Sequence, residues 1–269
     1  MSTVELRERT YAAMRGPDAE RAHALAVELC QAEPENYEHQ QIAGVTGLSS
    51  GRADEAAAHF AHAIRLAGEP PAAAAAWGGI GQACLLREDP EEAETAFRRA
   101  LSLAPLFAPA AAGLAEALLR RGRHSGAEKT ALRARELGEN NARLQVTLGQ
   151  ALLGQDKVDE AEKAFEAARA LDPEAPEPRF SLGTVAKVRG RIEEAQKIYR
   201  EVLAADPEYP GYGQFAELKT FGAEDEDIAL MQRCLASLPA TAPPSARSDL
   251  HFALAKAWDD VGDIAQASA

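Results

Sequence analysis

Aromatic side chains are scarce in this 269-residue chain, at 6% of the total, which is thin for a single large core. Cysteine is scarcer still. Cys30, Cys84 and Cys234 lie far apart, form no Cys-x-x-Cys pair and are odd in number, which argues against a disulfide framework and fits a reduced, cytoplasmic setting. No apolar run approaches the roughly 20 residues of a membrane-spanning helix, and the first nine residues are charged where a signal peptide needs an apolar stretch. Basic residues fall short of acidic ones, 29 against 42, for a net charge of −13. Such a surface repels phosphate backbones and anionic headgroups, so nucleic acid and membrane are not expected as partners. What the chain does have is alanine in abundance within a 46% hydrophobic composition. Alanine loses almost no side-chain entropy in a helix and lets helices approach closely.

The alanines are ordered. Ala22, Ala56, Ala93, Ala127, Ala161 and Ala195 recur at intervals of 34, 37, 34, 34 and 34 residues. The single three-residue excess is assigned to the Gly/Pro-rich connection 67–71, where an insertion costs little. Other columns share the register. Glycine recurs at Gly44, Gly81, Gly149 and Gly183, with Ala115 in the remaining place. A bulky aromatic recurs at Phe60, Phe97, Phe165 and Tyr199, with Ala131 as the exception. Pro34, Pro105, Pro173 and Pro207 close units, because proline cannot continue a helix. Gly16, Gly51, Gly122 and Gly190 fall where the two helices of a unit turn, a place suited to a left-handed residue. The small residue on the first helix admits close contact with the second, whose aromatic fills the wedge toward the next unit.

On this period and these columns, residues 3–209 resemble an array of tetratricopeptide repeats (TPR). The resemblance implies an all-α fold, a right-handed TPR superhelix of antiparallel helix pairs. The units are 3–36, 37–70, 74–107, 108–141, 142–175 and 176–209. The first lacks the glycine; the fourth carries Ala131 and Glu139 for the usual aromatic and proline. No such unit buries its own apolar face, so neighbours must stack.

Beyond Pro210 the register breaks. Residues 211–221 and 227–238 read as a non-canonical helix pair within 210–247, the second preceded by the acidic run Glu224 to Asp227, which complements a helix N-terminus. Residues 248–269 read as a further, truncated repeat, with Leu254, Ala255 and Trp258 on its first helix, Gly262 at the turn and Ala267 opening the second helix. An end inside a helix suggests a missing continuation. Within this tail, Phe215-Ala-Glu-Leu-Lys-Thr-Phe221, Glu224-Asp-Glu-Asp-Ile-Ala-Leu-Met231 and Leu250-His-Phe-Ala-Leu-Ala-Lys-Ala-Trp-Asp-Asp-Val-Gly-Asp263 resemble the junction in bacterial TPR-containing sulfotransferases. In that family the segment joins the repeats to a catalytic domain that uses phosphoadenosine phosphosulfate (PAPS). The family's cofactor loop, Pro-[Lys/Arg]-Ser-Gly-Thr-[Ser/Thr], is absent here, so no catalytic, cofactor or metal residue carries over.

The residues themselves show little chemistry. His59 and His62 share a helix face but lack further ligands at a recognised spacing. Gly78-Gly79-Ile80-Gly81 lacks the strand and the Lys-Ser/Thr of a phosphate loop, and Gly81 belongs to the packing column. Asp259 and Asp260 are adjacent and so diverge on a helix. Cys84 occupies a packing column.

The resemblance implies that first helices line a concave surface. One face of the fifth unit's first helix carries Arg143, Val146, Gln150 and Leu153; the sixth carries Glu177, Phe180, Thr184 and Lys187; Gln82, Leu85, Glu116 and Arg120 supply the earlier stripe. With Phe180 exposed, this stripe either holds an extended peptide or helix or is an ordinary solvated face. A clamp for a C-terminal carboxylate is not expected, since its positions hold Val45, Gln82, Glu116, Gln150 and Thr184. The chain therefore reads as a non-catalytic scaffold binding a protein or peptide, either the arm of a sulfotransferase or a free-standing adaptor, monomeric or dimeric.

Overall fold

The computed structural model describes residues 2–239, Ala242 and residues 244–262, and among these every regular element is a helix. The chain divides into two compact units after Lys157. The first holds α1 (Thr3–Met14), α2 (Ala19–Ala32), α3 (Tyr37–Ser49), α4 (Ala53–Leu66), α5 (Pro70–Leu86), α6 (Pro90–Leu103), α7 (Ala108–Arg120), α8 (His124–Glu136) and α9 (Ala142–Leu153). The second holds α10 (Val158–Leu171), α11 (Pro176–Val188), α12 (Ile192–Ala205), α13 (Tyr212–Ala216), α14 (Glu226–Ser237) and α15 (Pro244–Val261).

In the first unit α1 packs on α2, α3 on α4, α5 on α6 and α7 on α8, and each second helix packs on the first helix of the next pair. The Ala column lies at these seams: Ala56, Ala93 and Ala127 are completely buried. The aromatic column is enclosed by backbone. A Cβ added to Gly44 would stand 2.6 Å from the Phe60 ring, and one on Gly81 would stand 2.6 Å from Phe97. The same rings also meet a second glycine column. Gly79 would place a Cβ 2.5 Å from Phe60, and Gly113 one 2.3 Å from Phe97. Each ring thus sits between a glycine of its own pair and a glycine of the next. In the degenerate fourth pair no ring is present, and Ala115 and Ala131 both bury completely in the space left.

The three extra residues lie in the helix itself. α5 runs 17 residues, against 12 or 13 for α1, α3, α7 and α9, and Pro70 starts it at a position where a missing N–H costs nothing. The insertion thus becomes an added helical turn instead of a longer connection.

From the second pair to the sixth the turn between paired helices holds a left-handed residue, and Gly51 (φ 75°), Gly122 (69°) and Gly190 (74°) supply it in three of them. Glu88 (59°) and Asp156 (60°) hold the same position without glycine. Gly16 does not take a left-handed φ. Gly262 does, at 81°, directly after α15; Ala267 lies outside the described residues.

The second unit concentrates the aromatics. Phe180, Tyr199, Tyr212, Phe215 and Phe221 share one core with Met231 and Leu250. The helix expected over 211–221 is only five residues long. Asp249 of α15 accepts the N–H groups of Gly211 (2.8 Å), Tyr212 (2.7 Å) and Gly213 (3.1 Å), which caps α13 from across the core. Further on, Asp260 accepts from the Phe221 N–H and Lys256 donates to the Lys219 carbonyl. Residues 219 to 221, expected in that helix, are held by these long-range bonds in place of helical ones. Asp260 therefore has a structural role, joining α15 to the backbone at Phe221. In the acidic run Asp225 caps α14, as expected, by accepting from the Asp227 N–H. Asp227 itself is buried and takes a fork from Arg200 (2.6 and 2.8 Å) and an ammonium from Lys219 (2.7 Å).

Candidate functional site

The first helices α3, α5, α7 and α9 lie side by side within the first unit, and two cavities open along them. One, of 270 Å³, is lined by Gln82, Pro109, Gly113, Glu116, Glu139, Asn141, Arg143 and Thr147 among others. The second, of 390 Å³, is lined by Leu48, Gln82, Leu85, Leu86, Glu88, Arg120 and Arg143. Gln82 and Arg143 belong to both, so the two spaces adjoin.

A charged cluster stands at the join. Glu116 is buried on α7 and accepts from Arg120 one turn further on (2.7 Å) and from Nε and Nη2 of Arg143 on α9 (2.9 Å each). Arg120 also donates to the Leu85 carbonyl at the end of α5 (3.1 Å). A guanidinium placed there complements both the terminal carbonyl and the negative end of the helix. Three helices are joined through one carboxylate, and the two arginines are held in fixed poses.

Of the residues expected on the binding stripe, Gln82, Leu85, Glu116, Arg120 and Arg143 are brought together here. Leu85 forms floor rather than rim, since it is buried. Val146 is not on the groove: it is 3% exposed and part of the core, and Thr147 lines the cavity instead. Gln150 and Leu153 are half-buried and line neither cavity. In the second unit Phe180 is not exposed at all. Only 4% of it is accessible; it stacks on Tyr199 at 4.1 Å between centroids and lies against Tyr209 at 5.0 Å. Thr184 bonds the Tyr199 hydroxyl (2.9 Å), Lys187 lies 3.6 Å from Glu217, and Glu177 is exposed. The cause is common to these misplacements. A first helix in such an array is covered by its own partner and by neighbouring first helices, so Leu144 to Gly149 form an unbroken buried run and no apolar stripe marks the open side.

Other candidate chemistry resolves into structure. His59 Nδ1 meets Gln40 Oε1 at 2.8 Å, whereas His62 lies 3.8 Å from Glu35, so the pair does not converge. Among the described residues no three His, Cys, Asp or Glu side chains converge where a metal would sit. Burial pushes the Cys84 thiol up to about 11, which leaves it a protonated packing residue near neutral pH. Gly78 and Gly79 face aromatic rings, as Gly81 does.

An ionic ladder went unnoticed in the sequence. Glu94 pairs with Arg121 (2.6 Å) and Arg123 (3.1 Å), Glu128 with Gln155 (2.8 Å) and Lys157 (2.7 Å), and, in the second unit, Glu162 with Arg189 (2.8 Å) and Arg191 (3.8 Å). The acid follows the column alanine, and its partners come 27 and 29 residues later. Arg123 and Arg191 occupy N-cap positions without making a side-chain cap. A cation there opposes the helix dipole, and the ion pair to the preceding unit offsets that cost. The i to i+29 charge match, with Arg or Gln at i+27, was available in the sequence as a signal.

Comparison with known proteins agrees with this architecture. Three family models, each described as tetratricopeptide repeat, match residues 38–105, 85–152 and 146–210. No curated protein matches the chain in sequence. Among solved structures, a tetratricopeptide repeat protein from Parabacteroides merdae ATCC 43184 superposes with a TM-score of 0.66 at 15% identity, over 94% of this chain and 98% of that one. The APC/C hetero-tetramer Cut9–Hcn1 gives 0.64 at 17% identity, over 94% of this chain and 49% of that one, so this chain spans about half its length. A thermophilic repeat protein of Thermus thermophilus gives 0.54 at 20% identity, over 75% of this chain and 98% of that one. These likenesses bear on the fold.

Proposed function

Because the chain belongs to the tetratricopeptide repeat family, we propose that it is a non-catalytic scaffold that holds a protein or peptide segment against α5, α7 and α9. The observation that supports this reading is the pair of adjoining cavities that share Gln82 and Arg143. Proteins of this family commonly bind other proteins or peptides, and the space suits an extended segment with one apolar side chain over Leu85 and Leu86. Three buried, unpaired thiols suit a reducing cytoplasmic setting for that work. Affinity capture from the producing cells tests the proposal. A partner retained by the chain and lost with Leu86→Gln, a substitution at a 46% exposed site, is the expected result. A partner retained equally by both would refute it.

A second, finer reading is that this scaffold is the arm of a PAPS-dependent sulfotransferase. It is supported by the likeness of 215–221, 224–231 and 250–263 to that family's junction. Reading the parent gene beyond codon 269 tests it. A downstream Pro-[Lys/Arg]-Ser-Gly-Thr loop is expected, and its absence would leave the free-standing adaptor.

A further inference from the structure

We infer that the groove selects a partner segment carrying a lysine or arginine beside its apolar side chain, and that Glu88 receives this cation. The inference rests on the groove reading above and names its ligand chemistry. Glu88 is exposed and lines the larger cavity together with Leu48, Leu85 and Leu86. Among the described residues no donor or cation engages its carboxylate. The acids next to it in sequence are committed to the fold. Asp89 caps α6 by accepting from the Glu92 N–H (3.0 Å), and Glu92 takes the Arg87 guanidinium. Arg120 and Arg143, which line the same cavity from α7 and α9, are bonded to Glu116. Glu88 is thus an uncommitted acid two residues beyond Leu86, the most exposed leucine of the cavity.

The backbone supplies an independent observation. Glu88 takes a left-handed φ of 59°, a conformation that crowds a Cβ and that glycine adopts freely. Gly51, Gly122 and Gly190 fill the corresponding turns of three other pairs. Asp156 is the other exception, but it lines neither cavity, and aspartate tolerates this conformation better than glutamate does. Stability alone favours glycine at position 88, so the side chain is kept for a contact outside the chain. A cation complements its carboxylate, and the net charge of −13 draws basic segments toward the protein at longer range.

The test uses the full chain and a displayed library of random dodecapeptides. Selection on the wild type is expected to enrich peptides with Lys or Arg close to Leu, Ile, Phe or Met, and their binding should fall with Leu86→Gln. For a synthesised winner, changing its cation to glutamine should weaken binding about two- to fivefold on the wild type, the range of an exposed ion pair. The same change should cost nothing further on Glu88→Gln. Glu69→Gln controls for general attraction to an acidic protein, because Glu69 stands at the other end of α5, about 25 Å away. At ordinary salt that distance screens it from the cation, so the full loss should persist in this variant. Glu88→Gly should bind as weakly as Glu88→Gln while melting no lower than the wild type, which separates lost contact from lost fold. Winners that depend on Leu86 but carry no cation would overturn the cation inference and leave the groove reading intact. So would a cation uncoupled from Glu88, or coupled equally to Glu69. Winners indifferent to Leu86→Gln, or no winners, would overturn both.

Discussion

Gly113 stands so close to Phe97 that a Cβ on it would lie 2.3 Å from the ring. The two residues belong to successive helix pairs, so this contact sets how near one pair sits to the next. Gly113→Ala must push the pairs apart or force Phe97 off its rotamer. Overpacking of this kind costs about 1–3 kcal/mol. Thermal or urea unfolding should show that loss, whereas Gly68→Ala, with open space around it, should change little. Adding Phe97→Leu to Gly113→Ala should restore part of it. Equal stability of Gly113→Ala and the wild type would contradict the close seam.

Glu94 is the most connected rung of the ladder, with Arg98, Arg121 and Arg123 all on its carboxylate. Burial pushes its pKa up, but the arginines more than offset this and hold it below the ordinary range. Glu94→Ala leaves their charges without the acid and should cost about 2 kcal/mol. Glu91→Ala, which removes one exposed pair to Arg121, should cost under about 0.5 kcal/mol. A urea series on both variants checks the contrast.

Glu88 holds a left-handed φ of 59° at a turn where Gly51, Gly122 and Gly190 serve elsewhere. A non-glycine residue there costs roughly 1–2 kcal/mol, partly recovered through its lower unfolded-state entropy. Glu88→Gly should therefore stabilise by about 0.5 kcal/mol. Asp156→Gly should gain less, because aspartate tolerates that conformation better. Melting temperatures that fall in both variants would refute this.

Acid should weaken the protein in two stages. Burial lowers the pKa of His59, with the charge of His23 and His62 adding to this and Glu55 opposing it. The folded state thus favours the neutral ring: its stability is complete above about pH 6.5 and falls as pH drops below that. For Asp227 burial acts upward, but Arg200 and Lys219 win and hold the carboxyl below its ordinary range. Its contribution is present above about pH 4 and is lost as pH falls further. Urea midpoints measured from pH 7.5 to 3 should show both steps. His59→Gln should remove the first, and Asp227→Asn should remove the second while costing about 3 kcal/mol at neutral pH.

The repeat was legible because its columns obey backbone geometry. Gly44, Ala56 and Phe60 recur at fixed offsets since each pair must present the same small and large residues to the next, and the structure buries them as that requires. The second glycine column, Gly79 and Gly113, was hidden by the insertion ahead of the first and by Thr147 and Ser181 further on. The groove was legible only in part. Gln82, Glu116, Arg120 and Arg143, placed on one stripe by helical spacing, line adjoining cavities in the structure. Val146 and Phe180 were misplaced, because an apolar residue on a helix covered from several directions gives no sign of which side it buries.

The sequence alone thus determined that the chain is a helical repeat array, the identity of its seams and the spacing of its turns. These follow from local preferences and from a period repeated often enough to average out exceptions. Only the tertiary structure decided that Arg120 and Arg143 meet on one carboxylate, that Phe180 is core, and that residues 219–221 give up helix for bonds to Asp260 and Lys256. Each depends on groups that are distant in the chain, and no periodicity encodes which distant partner wins.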